Sequence, residues 1–141
     1  MDAKNSFFAI GLCFAMLQGS GALAADTLTS TPADKVQWAD TPFGVQASPV
    51  HGDFLTGAHV TFIKFAAGMQ TPPHVHSHDY VGIVVKGQGV HYIPGETPTP
   101  LPPGSTWSVP ANLVHISGCL AGEDCIFALY QADAFDFIPQ E

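Results

Sequence analysis

The amino-acid sequence predicts an all-β domain, built as a sandwich or barrel of short strands. Short segments rich in β-branched and aromatic residues recur along the chain, and glycine or proline separates them at nearly every break. No stretch shows a sustained helical period of apolar residues between capping residues, and the 12 prolines recur too often for long helices. Together these observations favour β structure throughout the body of the chain.

The predicted strands lie at residues 60–65, 80–85, 90–93, 106–109 and 126–130. Each is only a few residues long, which is the usual length of strands in small β-proteins. A proline-rich connection at residues 94–104 joins the third segment to the fourth, and we interpret it as a stiff loop inside one domain.

The N-terminus has the pattern of a secretory signal peptide. Lys4 precedes an apolar run from Phe7 to Leu17, and small residues ending at Ala24 follow it. The run is shorter than the roughly 20 apolar residues that span a bilayer. We therefore expect a signal peptide at residues 1–24 and one domain at residues 25–141, in a periplasmic or secreted protein with no membrane contact after leader removal.

The charge of the chain limits its partners. The net charge is −8 and the sequence contains no arginine. Nucleic acid is excluded as a partner because its phosphates need a basic surface that this chain does not have. An anionic ligand would depend on Lys64, Lys86, backbone N–H groups or a metal. The expected partner is therefore a small molecule of low charge.

Two cysteines remain after removal of the leader, Cys119 and Cys125. An even count in an exported domain favours a disulfide. The short segment between them predicts a tight turn, with the sulfurs across an antiparallel pair of strands. A redox-active pair and a thiolate metal ligand remain as alternatives.

Three histidines alternate along one segment: His74, His76 and His78. Side chains at a spacing of two residues share one face of a strand, and two imidazoles on one face can chelate a metal ion. A solvated strand of histidines is the alternative interpretation.

The same segment resembles the first motif of the cupin superfamily. Gly68 is followed after five residues by His74 and His76, then by Tyr80 after three residues and by Gly87 after six. Gly104 and the segment Pro110 to His115 resemble the second cupin motif, with Asn112 where glycine is usual. The resemblance implies a single jelly-roll barrel with a metal in its mouth. It assigns metal ligation to His74, His76 and His115, and His78 stays open as a further ligand.

Tyr80 departs from the cupin pattern, because it stands where the family has a glutamate ligand. A neutral phenol with a pKa near 10 replaces a carboxylate poorly. The resemblance therefore implies a three-histidine site for one divalent transition metal, either Zn, Cu, Fe, Ni or Mn. Tyr80 is a candidate catalytic acid or base beside a metal-bound substrate, with core packing as its alternative role.

The function implied by the resemblance is a metal-dependent enzyme, dioxygenase-like or lyase-like, on a small and weakly charged substrate. A non-catalytic module that binds or senses a metal or small ligand is the alternative, and a homodimer stays open. The C-terminal segment at 127–139 resembles that of a poorly characterised branch of exported bacterial cupins. We expect His51, His59 and His91 to be structural or solvent-exposed, and Trp107 to add core area.

Overall fold

The structure, a computed structural model, describes residues 28–141, and nearly all of its regular elements are strands. One short 3₁₀ turn, Ala33–Lys35, comes first. The strands in chain order are β1 (Ala39–Asp40), β2 (Gln46–Gly52), β3 (His59–Phe65), β4 (His74–Val75), β5 (Tyr80–Lys86), β6 (Gly89–Tyr92), β7 (Thr106–Val109), β8 (Ile116–Cys119), β9 (Cys125–Gln131) and β10 (Ile138–Pro139). In this part of the chain no helix is long and apolar enough to cross a membrane. The predicted signal peptide at 1–24 lies outside the described residues.

Six strands form the larger sheet, in the order β1-β2-β3-β9-β5-β7 with antiparallel neighbours. Strand β3 shows how its inner face is built: His59, Thr61, Ile63 and Phe65 are buried, and the residues between them are partly exposed. This period of two is what a strand gives when one face covers a core and the other faces solvent. All five strands predicted from the sequence are present.

Four short strands form the opposite layer, with β4 paired to β10 and β6 paired to β8. An isolated antiparallel bridge between His74 and His115 connects these two pairs. Phe65, Val84 and Phe127 are buried between the layers, where the rings of Phe65 and Phe127 lie 5.3 Å apart. The all-β prediction is confirmed, and the two layers form a small jelly-roll barrel.

The predicted disulfide between Cys119 and Cys125 is present, with 5.6 Å between the two Cα atoms. Its placement differs from the prediction. Cys119 ends β8, which pairs with β6, and Cys125 begins β9, which pairs with β3 and β5. The two sulfurs therefore do not lie across one antiparallel pair. Instead the disulfide ties the two sheets together at a corner of the barrel.

Candidate metal centre

Three histidines converge on the inner face of the short-strand layer. His74 and His115 exchange both backbone hydrogen bonds, each N–H donating to the other's carbonyl at 3.0 Å. Residues paired in this way point their side chains to the same face. His76 follows His74 by two residues, so it shares that face. The three side chains are 2 to 3% exposed, and their nearest nitrogens lie within 4.8 Å of one another.

Backbone carbonyls orient all three rings. The Nδ1 of His74 lies 3.0 Å from the Pro72 carbonyl oxygen, and the Nδ1 of His115 lies 3.0 Å from that of Leu113. The Nδ1 of His76 faces the carbonyl oxygen of Asp136. A carbonyl only accepts, so each Nδ1 carries the proton and each Nε2 keeps a lone pair that can bind a metal. Orientation of this kind is typical of histidines that bind a metal.

The charge state of the rings also suits a metal. Burial lowers the pKa of His74 to about 4, and burial likewise lowers the pKa values of His76 and His115. The rings are therefore neutral near pH 7, as metal ligation requires. The 4.8 Å span is longer than twice a zinc–nitrogen bond of about 2.1 Å, so the rings would have to close inward a little around a bound ion. These residues fit a divalent transition metal held through three Nε2 atoms.

Tyr80 lies beside this ligand set at the start of β5. Its side chain is 5% exposed, and its hydroxyl oxygen is 3.1 Å from the Nε2 of His115. Burial raises the pKa of Tyr80 to about 12, although the nearby Ser117 hydroxyl and Trp107 indole oppose this rise. The indole lies near this hydroxyl, but its Nε1 makes no hydrogen bond of normal geometry. The phenol thus lies next to the lone pair through which His115 would bind a metal.

The histidines open into a small cavity between the two sheets, with a volume of about 50 Å³. That is room for a few water molecules or for one end of a small ligand. Its walls are largely aromatic and aliphatic, and its polar lining includes Thr71, Ser117 and His91. Within the described residues, no lysine and no acid lines it. The lysines that sequence reasoning considered lie elsewhere: Lys64 Nζ is 4.4 Å from the Trp38 ring, and Lys86 pairs with Glu123.

Four phenylalanines cover the histidines on the side of the C-terminal segment, and we call them the aromatic cap: Phe43, Phe54, Phe135 and Phe137. The ring of Phe137 stacks on His74 with 4.3 Å between centroids, and Phe135 lies 4.9 Å from His76. The pairing of β10 with β4 fixes this cover beside the ligand strand. The C-terminal segment therefore limits access to the site.

The remaining histidines differ in their positions. His78 is about half exposed, and its Nδ1 is 3.5 Å from Asp133, so it lies outside the buried cluster. His59 is buried and bonds Thr61 and Gln131, while His51 is exposed. These two match the structural and exposed roles expected from the sequence.

His91 is the residue that sequence reasoning missed. It lines the cavity, and its ring stacks on Trp107 with 3.9 Å between centroids and 16° between planes. The inner face of a strand can usually be recognised because apolar and polar residues alternate along it. Strand β6 does not follow this pattern, since the neighbours Gly89 and Val90 are both buried. The only available signal was a histidine inside a short apolar strand.

The backbone geometry at Asn112 explains why asparagine can replace the usual glycine of the second motif. Its backbone φ is +62°, in the left-handed region where glycine is most often found and asparagine is tolerated. Its N–H donates to the carbonyl oxygen of His76 at 2.8 Å. This turn therefore connects the segment of His115 to that of His76, and asparagine keeps the geometry.

Comparison with known proteins agrees with this geometry. The family model described as "Cupin domain" matches residues 61–129, which contain all three histidines and Tyr80. The chain belongs to the cupin superfamily. An auxin-binding protein of Nicotiana tabacum is 32% identical over 84 residues, covering 51% of this chain and 45% of that protein. The cupin chain thus spans less than half the length of that curated relative.

Solved structures support the same fold for this cupin. KdgF from Halomonas sp. is 26% identical with a TM-score of 0.59, covering 74% of this chain and 94% of that one. The polyketide cyclase RemF from Streptomyces resistomycificus is 15% identical with a TM-score of 0.67, covering 82% and 87% of the two chains. At that level of identity, the second likeness shows only a shared fold. Cupins commonly bind a metal, and in this cupin His74, His76 and His115 are the residues placed to do so.

Proposed function

We propose that this cupin is a metal-dependent enzyme acting on a small, weakly charged substrate, with Tyr80 as its proton-transferring group. The observation that carries the proposal is the position of the Tyr80 hydroxyl, 3.1 Å from the Nε2 of His115. It lies in a cavity to which the described part of the chain contributes no lysine and no acid. A divalent metal bound by the three histidines supplies Lewis acidity, which polarises an oxygen atom of a ligand.

The residues of the chain divide the remaining work. His74, His76 and His115 contribute no negative charge, so they do not weaken the electrophilic character of the ion they hold. Tyr80 is the titratable group nearest to this ligand set that is not itself a ligand. As a phenol it can give a proton to a bound substrate, and the charge of a bound cation would lower its pKa, so that as a phenolate it could take one. The aromatic cap keeps bulk water out and contacts apolar parts of the substrate.

This arrangement favours a lyase-like reaction over a dioxygenase-like one. In a lyase-like reaction a proton leaves a carbon next to a polarised carbonyl, and the electron pair left behind expels a group from the neighbouring carbon. Tyr80, as the phenolate beside a bound cation, would accept that proton, and this proposed proton acceptor is what favours the lyase-like reaction. Consumption of oxygen with a panel of small carbonyl compounds would support the dioxygenase-like alternative. Product formation without oxygen uptake supports the lyase-like one.

Two substitutions at one position test the role of Tyr80. Tyr80→Phe should keep metal affinity within about threefold and abolish turnover, because only the hydroxyl is lost. Tyr80→Glu should tighten metal binding by tenfold or more, because an anionic oxygen joins three neutral nitrogens. Tyr92→Glu is the matched control, since the Tyr92 hydroxyl donates to Gln70 on the exposed surface. If Tyr80→Glu binds metal no more tightly than Tyr92→Glu, position 80 does not face the metal and the proposed role fails.

A non-catalytic ligand-binding module is the second candidate. It is favoured by the similarity to the tobacco auxin-binding proteins and by the lack of any carboxylate among the cavity residues described. Saturable binding of a small molecule to the metal-loaded protein, with no conversion in any metal form, would support this candidate over the enzyme.

We also propose that the protein is exported to the periplasm or secreted, and that it takes up its metal there. The apolar leader pattern and the disulfide support this proposal, because disulfides persist in oxidising compartments. N-terminal sequencing of the protein from the periplasmic and culture fractions should begin at Ala25. An intact Met1 in a cytoplasmic fraction would contradict export. The homodimer remains a prediction, which sedimentation of the purified protein tests.

A further inference from the structure

Two buried nitrogens in the cavity wall have no hydrogen-bond partner. Among the side chains of residues 28–141, buried polar atoms without a partner occur at the Nε2 of His91 and the Nε1 of Trp107. Such atoms are rare in folded proteins, and each costs about 1–3 kcal/mol if nothing satisfies it. The two rings are stacked on each other at 3.9 Å and both line the cavity. One stacked pair thus holds two buried nitrogens that make no hydrogen bond of normal geometry within the protein.

The chemistry of the pair defines what it can accept. The Trp107 indole nitrogen only donates, so its partner must be an acceptor atom. The Nδ1 of His91 is 3.1 Å from the Ser117 hydroxyl oxygen. When that hydroxyl donates to Nδ1, the Nε2 of His91 carries the proton and becomes a second donor. A carbonyl oxygen has two lone pairs, so it can accept from one ring directly and from the other directly or through a bridging water.

The pair lies near the metal centre. The Trp107 indole is close enough to Tyr80 to influence its hydroxyl, and that hydroxyl is 3.1 Å from the Nε2 of His115. Phe127 packs against both rings, with 5.5 Å to His91 and 5.2 Å to Trp107, and fixes them in the wall. Among residues 28–141, no lysine, aspartate or glutamate lines the cavity, so no charged side chain is there to bind an ionic group. A ligand with one end at the histidines therefore meets two neutral donors with another part.

We propose that His91 and Trp107 form a hydrogen-bond-donating subsite for a carbonyl oxygen of an uncharged small molecule. This inference names the substrate class for the proposed enzyme and rests on that proposed function, although the subsite would serve a non-catalytic binding protein equally well. His91 and Trp107 act here in binding and specificity, and no proton transfer is assigned to them.

The test compares two probes of nearly the same shape, cyclopentanone and methylenecyclopentane, of which only the first has an acceptor oxygen. Each is titrated into ¹⁵N-labelled, zinc-loaded protein while the indole N–H signals are recorded. The chain has two tryptophans, so Trp38, which stacks under Lys64, serves as an internal control. We expect cyclopentanone to move the Trp107 indole signal downfield in a saturable way, to leave the Trp38 signal in place and to bind roughly tenfold more tightly than the hydrocarbon.

Two variants test whether the preference for cyclopentanone depends on His91 and Trp107. If a variant does not fold, the titration of the parent protein still tests the proposal. Trp107→Phe and His91→Phe keep an aromatic ring in the wall and remove its nitrogens, so each should reduce the tenfold preference to about threefold or less. His51→Phe, on the exposed surface, should keep it. Equal binding of the two probes to the parent, or an unmoved Trp107 signal, would show that the nitrogens are satisfied by water alone and would overturn the subsite. Because the indole signal needs no turnover, a failure of the Tyr80 chemistry would leave this readout unaffected.

Discussion

Replacement of His115 with alanine should remove most of the metal affinity of this cupin. His115 is one of three buried imidazoles within 4.8 Å of one another, so His115→Ala leaves a site with two protein ligands. Structural zinc sites with four ligands bind with roughly 10–16 kcal/mol, which is about 3–4 kcal/mol for each ligand. Loss of one ligand should therefore weaken binding by about 10²–10³-fold.

The matched control is His78→Ala, a histidine from the same segment. Its side chain is about half exposed and pairs with Asp133, so its removal should change metal affinity by less than about threefold. Competition with a chromophoric chelator gives the two dissociation constants, and elemental analysis gives the metal content after dialysis. A parent-like affinity in His115→Ala would refute the three-histidine site. A large loss in His78→Ala would make that residue a ligand and would require the segment to rearrange.

Three further predictions concern the barrel around the site. A Cβ built on Gly82 would stand 2.1 Å from a carbon of the Trp107 indole. Gly82→Ala should therefore lower the free energy of unfolding, measured in urea, by about 1–3 kcal/mol. The control is Gly57→Ala, which should change this free energy little because a Cβ there meets nothing within 4 Å. Equal effects of the two substitutions would contradict the close packing of the tryptophan. The denatured, oxidised mature protein, which lacks Cys13 after leader removal, should show no free thiol. Reduction of Cys119–Cys125 should cost about 2 kcal/mol without releasing metal; two titratable thiols would contradict the pairing. Burial lowers the pKa of His91 to about 3, so the unfolded chain takes up a proton there below about pH 6.5 while the folded chain does not. For the chelator-treated protein, the contribution of neutral His91 to the free energy of unfolding should be fully present above pH 6.5 and should be lost as the pH decreases toward about 3. His91→Phe should therefore make the fall in stability with decreasing pH shallower. A variant whose stability falls as steeply as that of the parent in urea titrations would contradict this prediction.

Much of the fold could be predicted because the strands that build the main sheet carry a local signal. Strand β5 is an example, since it is a short run rich in β-branched residues, and its side chains alternate between buried and exposed positions from Tyr80 to Val85. The two-residue strands β4 and β10 carry no such signal, because their pairing depends on contacts between distant parts of the chain. The prediction that the disulfide lies across one antiparallel pair of strands was wrong for the same reason. A short turn shows that two strands follow each other, but it does not show that they pair.

The part of the candidate site that depends only on the spacing of residues in the sequence could be predicted. His74 and His76 share a face by local geometry, and the motif spacing added His115. His91 and Trp107 could not be recognised as a pair, because their stacking depends on the register of β6 with β8 and of β7 with β5. The cover of the site by Phe137 depends likewise on the docking of β10.

The contact between the Nδ1 of His76 and the Asp136 carbonyl has a consequence for the biogenesis of the protein. The two residues are separated by 60 positions in the sequence. Since a ribosome or a translocon delivers the chain from its N-terminus, His76 emerges long before the group that orients its ring. A metal ion that met the nascent chain would find imidazoles that still rotate freely, and it would be held weakly enough to exchange. Selection among competing ions by the three histidines would then wait until the C-terminal segment docks, in the compartment where the chain completes its folding.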